Sequence, residues 1–139
     1  MMAWVVDTCV LIDVLEEDPS FGLVSAEVLE ESMGDGLVIC PMTYAELSPA
    51  FQGDRALQDE FLAEVGVDFR QDWMRADTLY AHQSWNRFIQ RRRSQQLPKR
   101  PLVDILIGAF ATRFQGLITR NPEDFKRVFP SLSLRVPGA

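Results

Sequence analysis

Short apolar runs separated by stretches of helical periodicity constrain this 139-residue chain more than any other feature. "AWVV" (3–6), "GLVIC" (36–40), "VDF" (67–69) and "GLIT" (116–119) are short enough to read as buried strands, and "LSLRV" (132–136) reads as a last strand or tail. Between them lie segments of helical pattern at 9–17, 20–32, 54–65, from Asp72 to the polar end "QRRRSQQ", at 100–114 and at 122–129; Pro41 opens a further one at "MTYAEL". Such alternation predicts an α/β layer fold: a single domain over 1–139, with a mostly parallel central sheet of four to five strands flanked by helices. No repeat, low-complexity tract or linker interrupts it. Ligands of such sheets bind beyond the carboxyl ends of the strands. Functional residues should therefore follow strands.

Composition excludes several classes. No apolar run reaches the roughly 20 residues of a membrane span, and "MMAWVV" has no basic region before it and too short an apolar core for a signal peptide. A cytoplasmic protein is expected. Cys9 and Cys40 lack a CxxC spacing and read as small buried thiols. His82 is the sole histidine, and no GxSxG elbow accompanies it. The net charge of −6 is unevenly spread: residues 1–64 sum to −13 and residues 65–139 to +7. "RFIQRRRSQQLPKR" (87–100) concentrates six bases, which suits local contact with a phosphate-rich partner. A solvated helix end is the plainer reading of that run.

Acidic and amide residues follow the strands. Asp7 ends the first run, Glu46 lies shortly after the second, and Asn121 and Asp124 follow the fourth. Asp104 stands in the first turn of the apolar helix "RPLVDILIGAFATRF" (100–114), whose start lies at the same sheet edge. Each has a structural explanation alone: Asp7 as a helix cap, Asp104 as a first-turn acid paired with Arg100, Asp124 as a first-turn acid after Pro122. Together they map to one rim. Gly108, one turn beyond Asp104, should leave open space on that face.

"WVVDTCVLIDVL", "TYAEL", "PLVDILIGAFA" and "GLITRNPEDFKRV" resemble, in order and spacing, the four motifs of PIN-domain ribonucleases, and most of all the VapC-like toxins of prokaryotic toxin–antitoxin pairs. The resemblance runs from residue 3 to about residue 136. It implies that Asp7, Glu46 and Asp104 bind metal, with Asp124 as the fourth acid or Asn121 in its place. Thr8 and Thr119 match the family's small hydroxyl positions, whereas Cys9 stands where Ser or Asn is more usual. Asp13 reads as a helix residue beyond the site.

Crowded carboxylates need a cation: two of them about 5 Å apart repel by roughly 3 kcal/mol at an effective dielectric near 20. Hard oxygen ligands suit Mg²⁺ or Mn²⁺. On this reading Asp104 faces a shared cation rather than Arg100. The implied activity is metal-dependent hydrolysis of RNA phosphodiester bonds, leaving 5′-phosphate and 3′-hydroxyl ends. Arg91, Arg92, Arg93, Lys99 and Arg100 are candidate contacts to the RNA backbone, while the nearby aromatic side chains are expected in the core. The resemblance also implies an antitoxin partner and homodimers.

Two other classes compete. A non-catalytic PIN-fold module would bind RNA or a partner protein, but this chain keeps the three central acids. A phosphoaspartate receiver or phosphatase could use Asp7, yet "DTCV" lacks a D-x-D second acid and "GLITRN" offers arginine where a receiver needs lysine.

Overall fold

The computed structural model describes residues 2–92 and 101–139, with Arg92 and Pro101 described in their backbone only. Arg93, Lys99 and Arg100 lie outside the described residues, so neither their proposed RNA contacts nor an Asp104–Arg100 pair is addressed by it.

Five strands form one parallel sheet in the order β3-β2-β1-β4-β5: β1 (Trp4–Val6), β2 (Leu37–Val38), β3 (Val67–Asp68), β4 (Gly116–Ile118) and β5 (Leu134–Arg135). The last segment is thus a strand. Strand order reverses at β1, which is paired on one side with β2 (Val5 opposite Val38) and on the other with β4 (Val5 opposite Leu117). That reversal opens a crevice at the carboxyl ends of β1 and β4.

Period-two alternation sends side chains to two separate cores. Val5, Val38 and Leu117 face one layer, with Ile105, Phe110 and Phe114; Trp4, Val6, Leu37, Ile39 and Ile118 face the other, with Val10, Leu11 and Leu62. The helices are α1 (Thr8–Leu15), α2 (Gly22–Ser32), α3 (Pro41–Glu46), α4 (Arg55–Glu64), α5 (Arg75–Arg92), α6 (Pro101–Ala111) and α7 (Pro122–Lys126). Burial on both faces explains why β1, β2 and β4 are continuously apolar, whereas the edge strands β3 and β5 carry Asp68 and Arg135.

Local chemistry sets the ends. The α1 helix stops at Leu15, short of the expected 17, because Glu17 adopts a left-handed φ of 51°. The α2 helix begins only at Gly22, where a Cβ would lie 3.2 Å from the Asp13 carbonyl oxygen of the neighbouring helix. The α5 helix starts at Arg75 rather than Asp72, with Asp77 accepting a hydrogen bond from the Met74 amide at 2.9 Å.

Gly108 does not leave open space. A Cβ there would sit 2.2 Å from Phe129 Cε2, so the glycine admits the Phe129 ring against α6. Phe129 in turn stacks on Tyr80 of α5, and Trp73 stacks on Phe110. Phe88 is buried beside a half-buried Trp85. The aromatic residues thus serve mainly as core, as expected. His82 lies exposed on α5. Among the described residues no helix is long and apolar enough to cross a membrane.

Candidate functional site

Asp7 is the first residue after β1, and its amide still donates to the Ile118 carbonyl of β4 at 2.9 Å. It is also the N-cap of α1, its Oδ1 accepting the Thr8 amide at 2.8 Å. Only 6% of its surface is exposed. Its Oδ2 accepts the Thr119 hydroxyl, from the end of β4, at 2.7 Å, and lies 3.5 Å from Cys9 Sγ. Sheet topology, not sequence proximity, brings Asp7 and Thr119 together.

Glu46 approaches from the other side. The Thr8 hydroxyl donates to Glu46 Oε1 at 2.6 Å and lies 3.1 Å from the Thr43 hydroxyl. A hydroxyl has one proton to give, so Thr43 donates to Thr8 while Thr8 donates to Glu46. Thr43 is wholly buried and stands three residues before Glu46, on the same face of α3. Sequence reasoning missed Thr43, although that spacing within "TYAEL" was the available signal.

Thr119 also accepts the Asn121 amide at 3.0 Å, and Asn121 Nδ2 lies 3.9 Å from Cys9 Sγ. Asn121 is therefore tied to the Asp7 cluster through the loop that follows β4. None of these hydrogen bonds reaches Asp104 or Asp124, both half-buried. Among the described residues, no group of three acidic, histidine or cysteine side chains is placed to hold a metal ion. The hydrogen bonds above link Asp7 with Glu46 through Thr8.

The electrostatics of the pair are unusual. Burial pushes the Asp7 carboxyl above the ordinary carboxylate range; hydrogen bonds from Thr119, the Thr8 backbone and Cys9 oppose this, and the charge of Glu46 adds to it. Burial, reinforced by Asp7, pushes the Cys9 thiol up to about 12. Ion pairs among the described residues join Arg113 to Asp77, Arg120 to Asp13 and Arg135 to Asp35; none reaches Asp7 or Glu46. Two hard carboxylates that no described cationic side chain pairs with have donor chemistry suited to a divalent ion such as Mg²⁺ or Mn²⁺. Cys9, held as a neutral thiol, contributes a weak donor rather than a soft ligand.

Asp13 lies on α1 beyond the Asp7–Glu46 contacts, as expected. It is buried, accepts the Ser25 hydroxyl at 3.2 Å, and takes Arg120 Nε at 2.7 Å and Nη2 at 3.1 Å. Arg91, at the exposed end of α5, donates to the Arg127 carbonyl at 2.5 Å.

Fold and topology together define the class: a VapC-like PIN fold, with five parallel strands in one sheet and an acid at the carboxyl end of β1. A solved structure, that of VapBC2 from Rickettsia felis bound to a DNA fragment from their promoter, matches this chain with a TM-score of 0.72 over 97% of this chain and 98% of that one, at 20% identity. No protein-family model matches the sequence, and no curated protein does.

Proposed function

We propose that this chain is a metal-dependent endoribonuclease and the toxin component of a toxin–antitoxin pair. One observation carries the reading: on a VapC-like fold, the buried Asp7 at the switch point is coupled to Glu46 through Thr8, with no ion pair to either acid among the described residues.

Asp7 and Glu46 would hold Mg²⁺ or Mn²⁺, with Asp104 and Asp124 as further ligands, or Asn121 in place of Asp124. Such an ion, when bound, supplies a Lewis acid that activates water and offsets charge on the departing oxygen. The chain's own residues prepare the site. Thr119 and the Thr8 amide fix the Asp7 carboxylate and favour its ionised form. The Thr8 and Thr43 hydroxyls, donating in series, hold the Glu46 carboxylate at Thr8, the residue next to Asp7. No histidine or serine nucleophile is required.

An acidic site repels RNA, and the basic run offsets that. Arg91, Arg92, Arg93, Lys99 and Arg100 would contact the RNA backbone. Neutralising Arg91, Arg92 and Arg93 should weaken RNA binding and flatten its salt dependence; binding unchanged across salt concentrations would remove them from the substrate path. The VapBC2 likeness supports a cognate antitoxin as partner, and a homodimer belongs to the same proposal.

The test is incubation of purified protein with a panel of structured RNAs and Mn²⁺, beside Asp7→Asn, with analysis of the product ends. Cleavage by the wild type alone, leaving 5′-phosphates, is expected. Equal cleavage by both proteins would identify a contaminating nuclease, and RNA binding without cleavage would favour the non-catalytic module.

A further inference from the structure

We infer that the Asp13–Arg120 ion pair is a positioning clamp that holds the loop after β4, and with it Thr119 and Asn121, against α1 and the Asp7 carboxylate. Arg120 stands between the two residues of that loop that reach the cluster: Thr119 donates to Asp7 and Asn121 approaches Cys9. Asp13 lies four residues after Cys9 on α1, so the ion pair and the Cys9 contact share one helix face.

The clamp is built to be rigid. Both Asp13 oxygens take the fork of Arg120, at 2.7 and 3.1 Å, and the Ser25 hydroxyl of α2 adds a third donor. The Asp13 side chain is 3% exposed and that of Arg120 is 29% exposed, so the carboxylate is removed from water while the guanidinium reaches it from the loop. The guanidinium also lies over the Phe21 ring, 4.4 Å from its centroid. One side chain thereby ties the loop to α1 and to the residue before α2. Without it, the segment would keep the Thr119 amide hydrogen bond to the Arg135 carbonyl and its contacts to Cys9, but the Thr119 side chain and Asn121 would be held less firmly against α1.

The activity arm of this inference rests on the nuclease reading; its structural arm does not. The experiment compares wild type, Asp13→Asn and Arg120→Lys by amide hydrogen exchange and by RNA cleavage with Mn²⁺. In Asp13→Asn, exchange at the Asn121 amide should rise by about tenfold or more while Leu117 in β4 stays within about twofold, the mark of local rather than global opening. Cleavage should fall in kcat with little change in KM. Arg120→Lys, which keeps the charge but loses the fork, should lie between and serves if Asp13→Asn does not fold. Equal increases at Asn121 and Leu117 would reduce the pair to general stabilisation and overturn the inference, as would unchanged exchange at Asn121 or an effect on KM alone. Local loosening in a protein whose wild type cleaves nothing would uphold the clamp and refute the nuclease reading.

Discussion

The Thr119 hydroxyl donates to Asp7 Oδ2 at 2.7 Å across 112 positions of sequence. Only the pairing of β1 with β4 makes this contact possible, because both residues directly follow their strands at the same edge of the sheet. The bond opposes the effect of burial on Asp7.

Thr119→Val should therefore shift the pH dependence. Removing the donor lifts the Asp7 carboxyl further, so ionisation requires higher pH. The rising limb of the cleavage profile should move to higher pH. Activity at neutral pH should fall by about tenfold or more, the loss expected for a hydrogen bond to a charged group. Recovery at higher pH is the diagnostic measurement.

Asp7→Asn should abolish cleavage yet stabilise the protein in EDTA. The folded-state carboxyl is raised above its unfolded value, so the folded chain binds the extra proton. Stability from this group is then greatest at low pH and falls as pH rises from the unfolded to the folded ionisation range. Asparagine caps a helix as well as aspartate does. A gain on the order of 1 kcal/mol at neutral pH, about 3 °C in Tm, is expected from thermal melts. The gain should shrink as pH falls below the ordinary carboxylate range.

Much of this was legible in the sequence. The strands 4–6 and 116–118, the helices between them and the single sheet followed from apolar runs and periodicity. Asp7 and Glu46 stood out as candidates because each closely follows a strand, whereas Thr8 and Thr119 were marked only by the family resemblance. Asp13 is, as read, a helix residue beyond the Asp7–Glu46 contacts, but its burial and its pairing with Arg120, 107 residues away, emerge only from the fold. Gly108 was misread because its neighbour across the helix face is distant in sequence. The space beside it belongs to Phe129, brought there by the turn after α7.

Gly108→Ala tests that packing. The new methyl would meet the Phe129 ring at 2.2 Å and force it away from α6 and from Tyr80. A loss of about 1–3 kcal/mol in denaturant unfolding is expected for such overpacking. Unchanged stability would show that the ring is free to move.

The Asp77–Arg113 pair should be the most costly polar contact to break. Asp77 is 1% exposed and accepts Arg113 Nε at 2.7 Å and Nη2 at 2.9 Å, while the same guanidinium lies over Phe110 and Phe114. Arg113→Ala would leave a buried carboxylate uncompensated, a loss of about 3–5 kcal/mol by chemical denaturation. Asp77→Asn/Arg113→Met, which removes both charges, should recover much of it.

Binding of Mn²⁺ to the purified protein, followed by electron paramagnetic resonance for wild type, Asp7→Asn and Glu46→Gln, tests the central claim most directly. Saturable binding by the wild type is expected, weakened by about a hundredfold in each variant, or roughly 2.8 kcal/mol. Equal Mn²⁺ binding by all three proteins, or none by a folded wild type, would contradict the account.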